Sequence, residues 1–449
     1  MLILNIYMQI PDKVDKVAWS RTHSLLLASL ALGFFMWGTI STIAPLLYPS
    51  VNYLFFILAP IIATLTGNIV FPLLSDRIYG RKKTFMITMG MYGIGSLMIA
   101  SLAVFSQLTG TPLTYTPVLY LLTIGIVLGV LGVEGEVPVM LSYAAEMMPL
   151  RRRDQVLVLA PNFDNVGAMV ASAVVLVTSA VADSAVIDLL ALSITALVGL
   201  AFLIIVRLKL PESVRWLLEK GRVENAEKEV TKLGNKIQEL NENKSVRPLN
   251  LLSRYWFLVA IAISQYLTYG LMAFYIGDFY FPNLENLIVF VANVGASVAG
   301  FIAAMAINKI KSRKFSLFSF MGGTITILGI LATINIISKN MELFYGLLML
   351  NMAFSEFGWA VRTIYEPLIL PTRNRAFLIG LVRVFPITLS TVSVYFASFL
   401  NSPFDYVLYN TVLWALGAIA SLTWFFKGFD VNMTPIEFSS GTIAEKGTT

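Results

Sequence analysis

Residues 185–206 read AVIDLLALSITALVGLAFLIIV and contain one charged side chain, Asp188. At 1.5 Å per residue, an α-helix of this length is about 33 Å long, enough to cross the ~30 Å hydrocarbon core of a bilayer. Comparable apolar runs recur at about 24–46, 52–74, 85–105, 118–148, 155–181, 256–277, 287–307, 316–337, 343–370, 377–400 and 406–426. The sequence therefore predicts an all-α polytopic membrane protein with twelve transmembrane helices.

The composition of the 449-residue chain points the same way, with 57% hydrophobic and 13% charged residues. Soluble domains have roughly 45–50% apolar and about 25% charged residues, so a soluble enzyme, a nucleic-acid-binding protein and a secreted scaffold are excluded. The chain has no Cys and a single His, His23, which argues against a metal site or a Ser–His triad. We therefore expect no enzyme activity, no metal and no cofactor. A transport-like receptor is disfavoured because the longest polar segment has only about 45 residues.

The positive charges predict the orientation. If the N-terminus is cytoplasmic, 29 of the 32 Lys and Arg residues fall on cytoplasmic segments, as the positive-inside rule requires. The three others are Arg362 and Arg383, inside spans, and Lys339. We predict a multi-pass protein of the plasma membrane with both termini in the cytoplasm. The net charge of +6 is thus an orientation signal, and no nucleic-acid partner is expected.

A polar segment at 209–254 separates six spans from six. Within it, Ala226, Val230, Leu233 and Ile237 recur at helical spacing among charged residues, which predicts short amphipathic helices. The predicted organisation is an N-terminal bundle (1–208), a cytoplasmic linker (209–254), a C-terminal bundle (255–427) and a cytoplasmic tail (428–449).

Two motifs occur once in each half of the chain. The loop after the second span, DRIYGRK (76–82), has the spacing of the loop after the eighth, NKIKSRK (308–314). The fourth and tenth spans end in the same pattern, Tyr143-x5-Pro149-x3-Arg153 and Tyr365-x5-Pro371-x3-Arg375, with Glu134 and Glu356 each 15 residues before the proline. An internal repeat of this kind predicts a transporter with a site between its halves.

At these residues the chain resembles the major facilitator superfamily, within it the sugar porter family and its phosphate and organic-acid relatives. DRIYGRKK (76–83) is similar to the family signature between helices 2 and 3, and PESVRWLLEKGR (211–222) to the motif after helix 6. The segment 135–146 resembles helix 4 of proton-coupled phosphate and organic-acid symporters. The resemblance implies two pseudo-symmetric six-helix bundles that work by alternating access.

The resemblance also implies a cytoplasmic gate of ion pairs that forms in one state and breaks in the other. Ion pairs at a wet interface suit this role because each contributes only about 0–1 kcal/mol. Positive-inside anchoring and helix capping are the alternative role for these residues. The predicted gate residues are Asp76, Arg77, Arg81, Glu146, Arg153, Glu212 and Arg215.

Ionisable residues in the middle of the spans are candidates for proton coupling, because a charge at the bilayer centre costs at least ~2.5–3.5 kcal/mol. The candidates are Glu136, Glu134 and Asp164. By the resemblance, Glu136 matches the acid that carries the proton in the symporter relatives, although it could instead be a structural partner of Arg362 or Arg383, or of backbone groups near Pro138. Glu134 lies about 200° away from it around the helix, so the two do not face one cavity. Asp164 could instead bind substrate.

Other polar residues in the C-terminal spans are candidates for substrate contact. The arginines could bind an anionic group or could be structural partners of nearby acids, as Arg362 could be of Glu366 one helical turn away. The aromatic and amide side chains could provide stacking and hydrogen bonds. The predicted substrate-binding residues are Gln265, Tyr269, Glu356, Trp359, Arg362 and Arg383.

Together these features predict a secondary active transporter for a small polar solute. The leading hypothesis is proton-coupled symport of a sugar or related organic solute. The alternative is proton-coupled symport of an anionic solute, namely an aromatic or carboxylic acid or phosphate. The expected partners are the small-molecule substrate, protons and membrane lipid, and the expected state is a monomer.

Overall fold

The computed structural model describes residues 2–182, 184–337 and 340–442, and these form nineteen α-helices and no β-strand. Lys339 and the last part of the predicted tail, 443–449, lie outside the described residues. The first half of the chain contains α1 (Leu2–Lys16), α2 (Arg21–Ser41), α3 (Ile43–Val51), α4 (Leu54–Leu74), α5 (Gly80–Thr109), α6 (Thr116–Met147), α7 (Leu150–Leu159), α8 (Phe163–Ala182), α9 (Ala185–Arg207), α10 (Val214–Glu219) and α11 (Val223–Leu233). The second contains α12 (Leu251–Gly270), α13 (Ile276–Tyr280), α14 (Glu285–Ala306), α15 (Ser312–Ile337), α16 (Met341–Ile369), α17 (Arg375–Ala397), α18 (Pro403–Lys427) and α19 (Ile436–Ser439).

The helices provide twelve membrane spans, as predicted. Ten helical stretches of the described chain are long and apolar enough to cross a bilayer. One of them, 54–109, contains two spans, α4 and α5, joined by a π-helical turn at Ser75–Tyr79. The twelfth span is α16, which is 29 residues long but carries Glu356, Arg362 and Glu366. These charged residues make α16 less apolar than those ten stretches. Charged residues inside a span are expected where a membrane helix carries function.

The two halves repeat each other's local contacts. In the N half (α2–α9), the Tyr143 hydroxyl donates a hydrogen bond of 2.5 Å to the carbonyl of Pro211, just after α9. In the C half (α12–α18), the Tyr365 hydroxyl donates at 3.3 Å to the carbonyl of Phe429, just after α18. The two tyrosines occupy equivalent positions of the repeated motif, so the sequence repeat corresponds to a structural one.

The halves meet along two helix pairs, α8 with α14 and α4 with α17. Each pair contains a glycine at the closest point. A Cβ atom at Gly380 of α17 would collide with the backbone oxygen of Asn68, and one at Gly300 of α14 with the side chain of Asn162. Small residues at these crossings allow the backbones to approach closely, as is usual between membrane helices.

We call the end of the bundle that carries the turns at 75–79, 148–149, 307–311 and 370–374 the loop face. The segment after α9 covers it with α10 and α11, the short helices that the sequence predicts. The predicted helical position of Ile237 is wrong. The helix ends at Leu233 because Gly234 adopts φ +126°, and Ile237 instead pairs with Val17 in a single β-bridge.

Candidate transport site and gate

A cavity of about 260 Å³ lies between the halves. It extends from the middle of the helices towards Tyr48, Pro60 and Asp278, near the ends opposite the loop face. Its wall includes all six predicted substrate-binding residues and two of the three predicted proton-coupling residues. These eight residues are Gln265, Tyr269, Glu356, Trp359, Arg362, Arg383, Glu134 and Asp164.

Arg383 connects the halves at the inner end of this cavity. From α17 its guanidinium contacts Glu134 of α6 at 2.8 Å and donates to the Asn68 side-chain oxygen of α4 at 2.7 Å. Asn68 in turn donates to Glu134 at 3.1 Å. All three side chains are buried, so the charge of Arg383 is neutralised within the protein.

Arg362 is paired within its own helix, one of the alternatives left open by the sequence. Its Nε donates to Glu366 at 2.8 Å and its Nη1 to the Gln265 side-chain oxygen at 2.7 Å. The Nη2 atom is buried and has no hydrogen-bond partner among the described residues. Arg362 therefore keeps one donor for a ligand, although its charge is balanced by Glu366.

Two tryptophans from opposite halves flank the cavity. The rings of Trp37 (α2) and Trp359 (α16) are 5.9 Å apart, and the Arg383 guanidinium lies 5.0 Å and 5.9 Å from them. Both indole N–H groups are buried without a partner among the residues described. Trp37 was not predicted as a site residue. The only signal for it in the sequence is an aromatic residue in the middle of a span, where packing is the more common role.

The acids Asp164 and Glu356 lie on opposite sides of the boundary between the halves. Asn165, which follows Asp164 on α8, donates to Glu356 of α16 at 2.7 Å. The two carboxyl groups are close enough for their charges to interact. Tyr269 faces both acids and donates to Asn293 at 2.7 Å.

Glu136 lies outside the cavity wall, buried inside the N half. Arg207, at the end of α9, contacts both of its oxygens, one of them at 2.8 Å, and also contacts Tyr92 at 3.0 Å. Thr88 donates to the same carboxylate at 2.5 Å. The alternative partners Arg362 and Arg383 are therefore wrong. The sequence counts Arg207 among the cytoplasmic positive charges, and nothing in its spacing indicates that its side chain turns back into the helix bundle.

At the loop face a buried ionic cluster contains Arg81, Asp76, Glu146 and Arg375, and we call it the gate cluster. Arg81 contacts Asp76 at 2.5 Å and Glu146 at 2.8 Å, all within the N half. Arg375 of the C half contacts Glu146 at 2.9 Å, and the backbone N–H of Phe377 donates to Asp76 at 2.8 Å. The cluster thus joins the halves. The repeated motif places Arg375 at the position equivalent to Arg153, which is the signal that could have identified it.

Glu212, also a predicted gate residue, fixes the start of α5 beside this cluster. Its carboxylate accepts the backbone N–H of Arg81 at 2.8 Å and that of Ser213 at 2.7 Å. Burial raises the pKa of Glu212, while these N–H groups partly oppose the rise. An acid at a helix N-terminus is favourable because it meets unpaired N–H groups. Glu212 thus holds the first turn of α5, which carries the Arg81 side chain.

Two of the remaining predicted gate residues, Arg215 and Arg153, contact segments near the two ends of the chain. Arg215 binds Asp15 of α1 at 2.8 Å and Glu437 of α19 at 2.9 Å. Arg153 donates to the backbone oxygen of Thr434 at 2.8 Å. Arg77 is exposed and lies apart from the gate cluster. The tail and α1 therefore contribute to the closed loop face, a feature that no motif in the sequence indicates.

Comparison with known proteins identifies the family. The family model of the Major Facilitator Superfamily matches residues 25–385. The chain belongs to the major facilitator superfamily. It is therefore a multi-pass membrane protein of a transporter family, as the motifs predicted. None of the curated protein sequences compared with it matches.

Solved structures show the same fold at low sequence identity. The chain is similar to the proton:xylose symporter XylE of E. coli bound to 6-bromo-6-deoxy-D-glucose, with 14% identity, 93% of this chain and 98% of that chain covered, and a TM-score of 0.73. The E. coli fucose:proton symporter FucP has 13% identity, coverage of 90% and 99%, and a TM-score of 0.55. A bacterial homologue of the iron transporter ferroportin has 12% identity, coverage of 90% and 99%, and a TM-score of 0.61. These similarities confirm the twelve-helix fold of two six-helix bundles.

Proposed function

We propose that this protein moves a small neutral polar solute, a sugar or a related organic compound, across the plasma membrane in symport with protons. The loop face is then cytoplasmic, with both termini on that side, and the cavity opens to the outside. The positive charges of the loops support this orientation. The sugar:proton symporters XylE and FucP, which share the fold, support the substrate class.

The observation that carries the substrate class is the charge of the cavity. Five carboxyl groups but only two arginines line it. Both arginines already have carboxylate partners at 2.8 Å, so a second anion would enter a site with an excess of acids. The anionic alternative is therefore the weaker one. A sugar fits better, because its hydroxyl groups can use the free indole N–H groups and its apolar ring face can pack on tryptophan.

The direct test measures the binding of matched ligand pairs to the purified protein. Binding is detected as a shift in the midpoint of thermal unfolding, Tm. Glucose and glucuronate, or galactose and galacturonate, share the pyranose ring and differ in one carboxylate. We expect neutral members to raise Tm in a concentration-dependent way, because a ligand that binds only the folded state stabilises it. Phosphate, benzoate and the sugar acids are expected to leave Tm unchanged. Stabilisation by the acids alone would establish the anionic alternative instead.

A further inference from the structure

We propose that Asp164 and Glu356 form one acid pair across the boundary between the halves, and that this pair carries the coupled proton. The inference rests on the proposed function as a proton symporter and names its coupling site. The sequence assigns Asp164 and Glu356 to separate roles, in proton transfer and in substrate binding. The geometry joins them in a single unit.

Asn165 ties the two carboxyl groups together. Its backbone N–H donates to Asp164 at 2.6 Å, and its side-chain amide donates to Glu356 at 2.7 Å. Asp164 and Asn165 belong to α8 of the N half, and Glu356 to α16 of the C half. A movement that separates the halves at this level must break the contact between Asn165 and Glu356. The protonation state of the pair is therefore coupled to the arrangement of the halves.

Glu356 has a vacant position for a proton. Its Oε1 atom is buried at the cavity wall and lacks a hydrogen-bond partner among the residues that the structure describes. A buried acceptor without a donor costs about 1–3 kcal/mol, and more when it is charged. Protonation of Oε1 removes the charge and converts the oxygen into a donor for a substrate hydroxyl in the cavity.

The neighbouring charges distinguish this pair from the other buried acids near the cavity. Glu134, Glu136 and Glu366 each form an ion pair with an arginine. Within the described chain, neither Asp164 nor Glu356 has a Lys or Arg nitrogen within the 4.0 Å of an ion pair. The titratable groups that face the pair are Arg383 of α17 and Tyr269 of α12. Arg383 already pairs with Glu134, so it does not serve as the counter-ion of Asp164 or Glu356.

The proton transfer itself is simple. A hydronium ion in the cavity gives its proton to Glu356 Oε1, which forms an O–H bond and leaves neutral water. With Glu356 protonated, the pair carries one negative charge instead of two, and the halves can close around it. When the cavity opens to the other face, water takes the proton and the carboxylate is restored. Closure without the proton would confine two negative charges in a low-dielectric site, which prevents an uncoupled cycle.

The experiment compares Asp164→Asn and Glu356→Gln with a matched variant, Glu342→Gln, at an exposed acid in the first turn of α16. Each protein is reconstituted in proteoliposomes with a sugar that stabilises the wild type. Counterflow is measured without a gradient and accumulation with an inward gradient of one pH unit, which supports about tenfold accumulation at one proton per solute. We expect Asp164→Asn and Glu356→Gln to lose accumulation but keep counterflow, and Glu342→Gln to keep both. Gradient-driven accumulation by both pair variants would overturn the proposal.

A second measurement needs no substrate and so separates this inference from the proposed function. Infrared difference spectra between acidic and alkaline pH report the C=O stretch of carboxylic acids that gain a proton. We expect Glu356→Gln to remove one such band that Glu134→Gln retains, and Asp164→Asn to shift it. This result would support the acid pair even if no tested sugar were transported. An unchanged spectrum in both pair variants would overturn it.

Discussion

Glu146 and Arg375 form a buried ion pair of 2.9 Å that joins the last turn of α6 to the first residue of α17. The same carboxylate binds Arg81 of its own half at 2.8 Å. One acid therefore serves two cations, one from each half. Because Glu146 and Arg375 belong to different halves, opening of the loop face must separate them, so we expect the loss of Glu146 to favour opening most strongly.

We predict that Glu146→Gln opens the loop face. Removing one partner from a buried ion pair costs about 3–5 kcal/mol, and both arginines regain water only in the open state. The natural chain has no Cys, so Ile379→Cys, at a fully buried position of α17, provides a unique thiol. Maleimide should label it at least about tenfold faster in the Glu146→Gln background. The matched control is Arg77→Gln, at an exposed cation in the turn between α4 and α5. Equal labelling rates in the Glu146→Gln and Arg77→Gln backgrounds would contradict the prediction.

The contact between α1 and the linker should depend on pH. Burial raises the pKa of Asp15 from 3.8 to about 6, although Arg215 opposes the rise. When α1 undocks, the pKa returns towards 3.8, so between these values the docked state binds more protons and acidification favours docking. Arg215 holds the pKa of Glu437 below its usual value despite burial, so Glu437 stays ionised in this range.

A nitroxide label at the exposed Lys13→Cys reports this equilibrium. We expect the label to be less mobile at pH 5 than at pH 7.5, because only pH 5 lies below the pKa of about 6 that Asp15 has in the docked state. Asp15→Asn, which cannot ionise, should give the less mobile spectrum at both pH values. Greater mobility at pH 5 in the wild type would show that the sign is wrong.

Glu136 is predicted to matter for stability more than for coupling, because Arg207, Tyr92 and Thr88 hold it inside the N half. Glu136→Gln leaves Arg207 buried without its counter-ion, at a cost of about 3–5 kcal/mol. Its Tm should therefore fall, while the folded fraction still accumulates substrate. The double variant Glu136→Gln with Arg207→Met should recover part of the Tm. Loss of accumulation at an unchanged Tm would restore Glu136 as the proton carrier.

The indole N–H of Trp359 is predicted to bind the substrate. Trp359→Phe keeps a ring at the cavity wall and removes only the free N–H. A single neutral hydrogen bond contributes about 0.5–1.5 kcal/mol, so Kd should rise roughly 2- to 12-fold. Trp256→Phe, at a half-exposed position on α12, is the control and should leave Kd unchanged. Calorimetric titration of the sugar measures both, and equal Kd values in the two variants would contradict the contact.

The sequence was sufficient for the fold, since each span is a long apolar run and the repeat of Tyr143 and Tyr365 indicates two halves. The sequence was also sufficient to locate the charged residues in the middle of the spans, because Glu134, Arg362 and Arg383 interrupt otherwise apolar runs. It could not predict partners that lie on different helices. Spacing along one helix gives the direction of a side chain, but the Arg383 contact with Asn68 depends on how α17 packs on α4.

Three features were beyond the sequence for specific reasons. Arg207 follows a span and looks like an orientation signal, yet its long side chain reaches back to Glu136. Asn165 and Trp37 are neutral residues in apolar surroundings, so their composition gives no sign of function. Besides the Glu437 side chain that contacts Arg215, the tail binds through backbone oxygens, such as that of Thr434 to Arg153. Such contacts leave no pattern in the side chains.

The central claim is that a neutral sugar crosses this protein with a proton. The most direct measurement is uptake of radiolabelled xylose, glucose, benzoate and phosphate by proteoliposomes of the wild-type protein, with and without an inward gradient of one pH unit. The account predicts accumulation of a sugar to about tenfold over the outside concentration with the gradient, simple equilibration without it, and no uptake of the acids. Gradient-driven accumulation of benzoate or phosphate with no uptake of either sugar would contradict it.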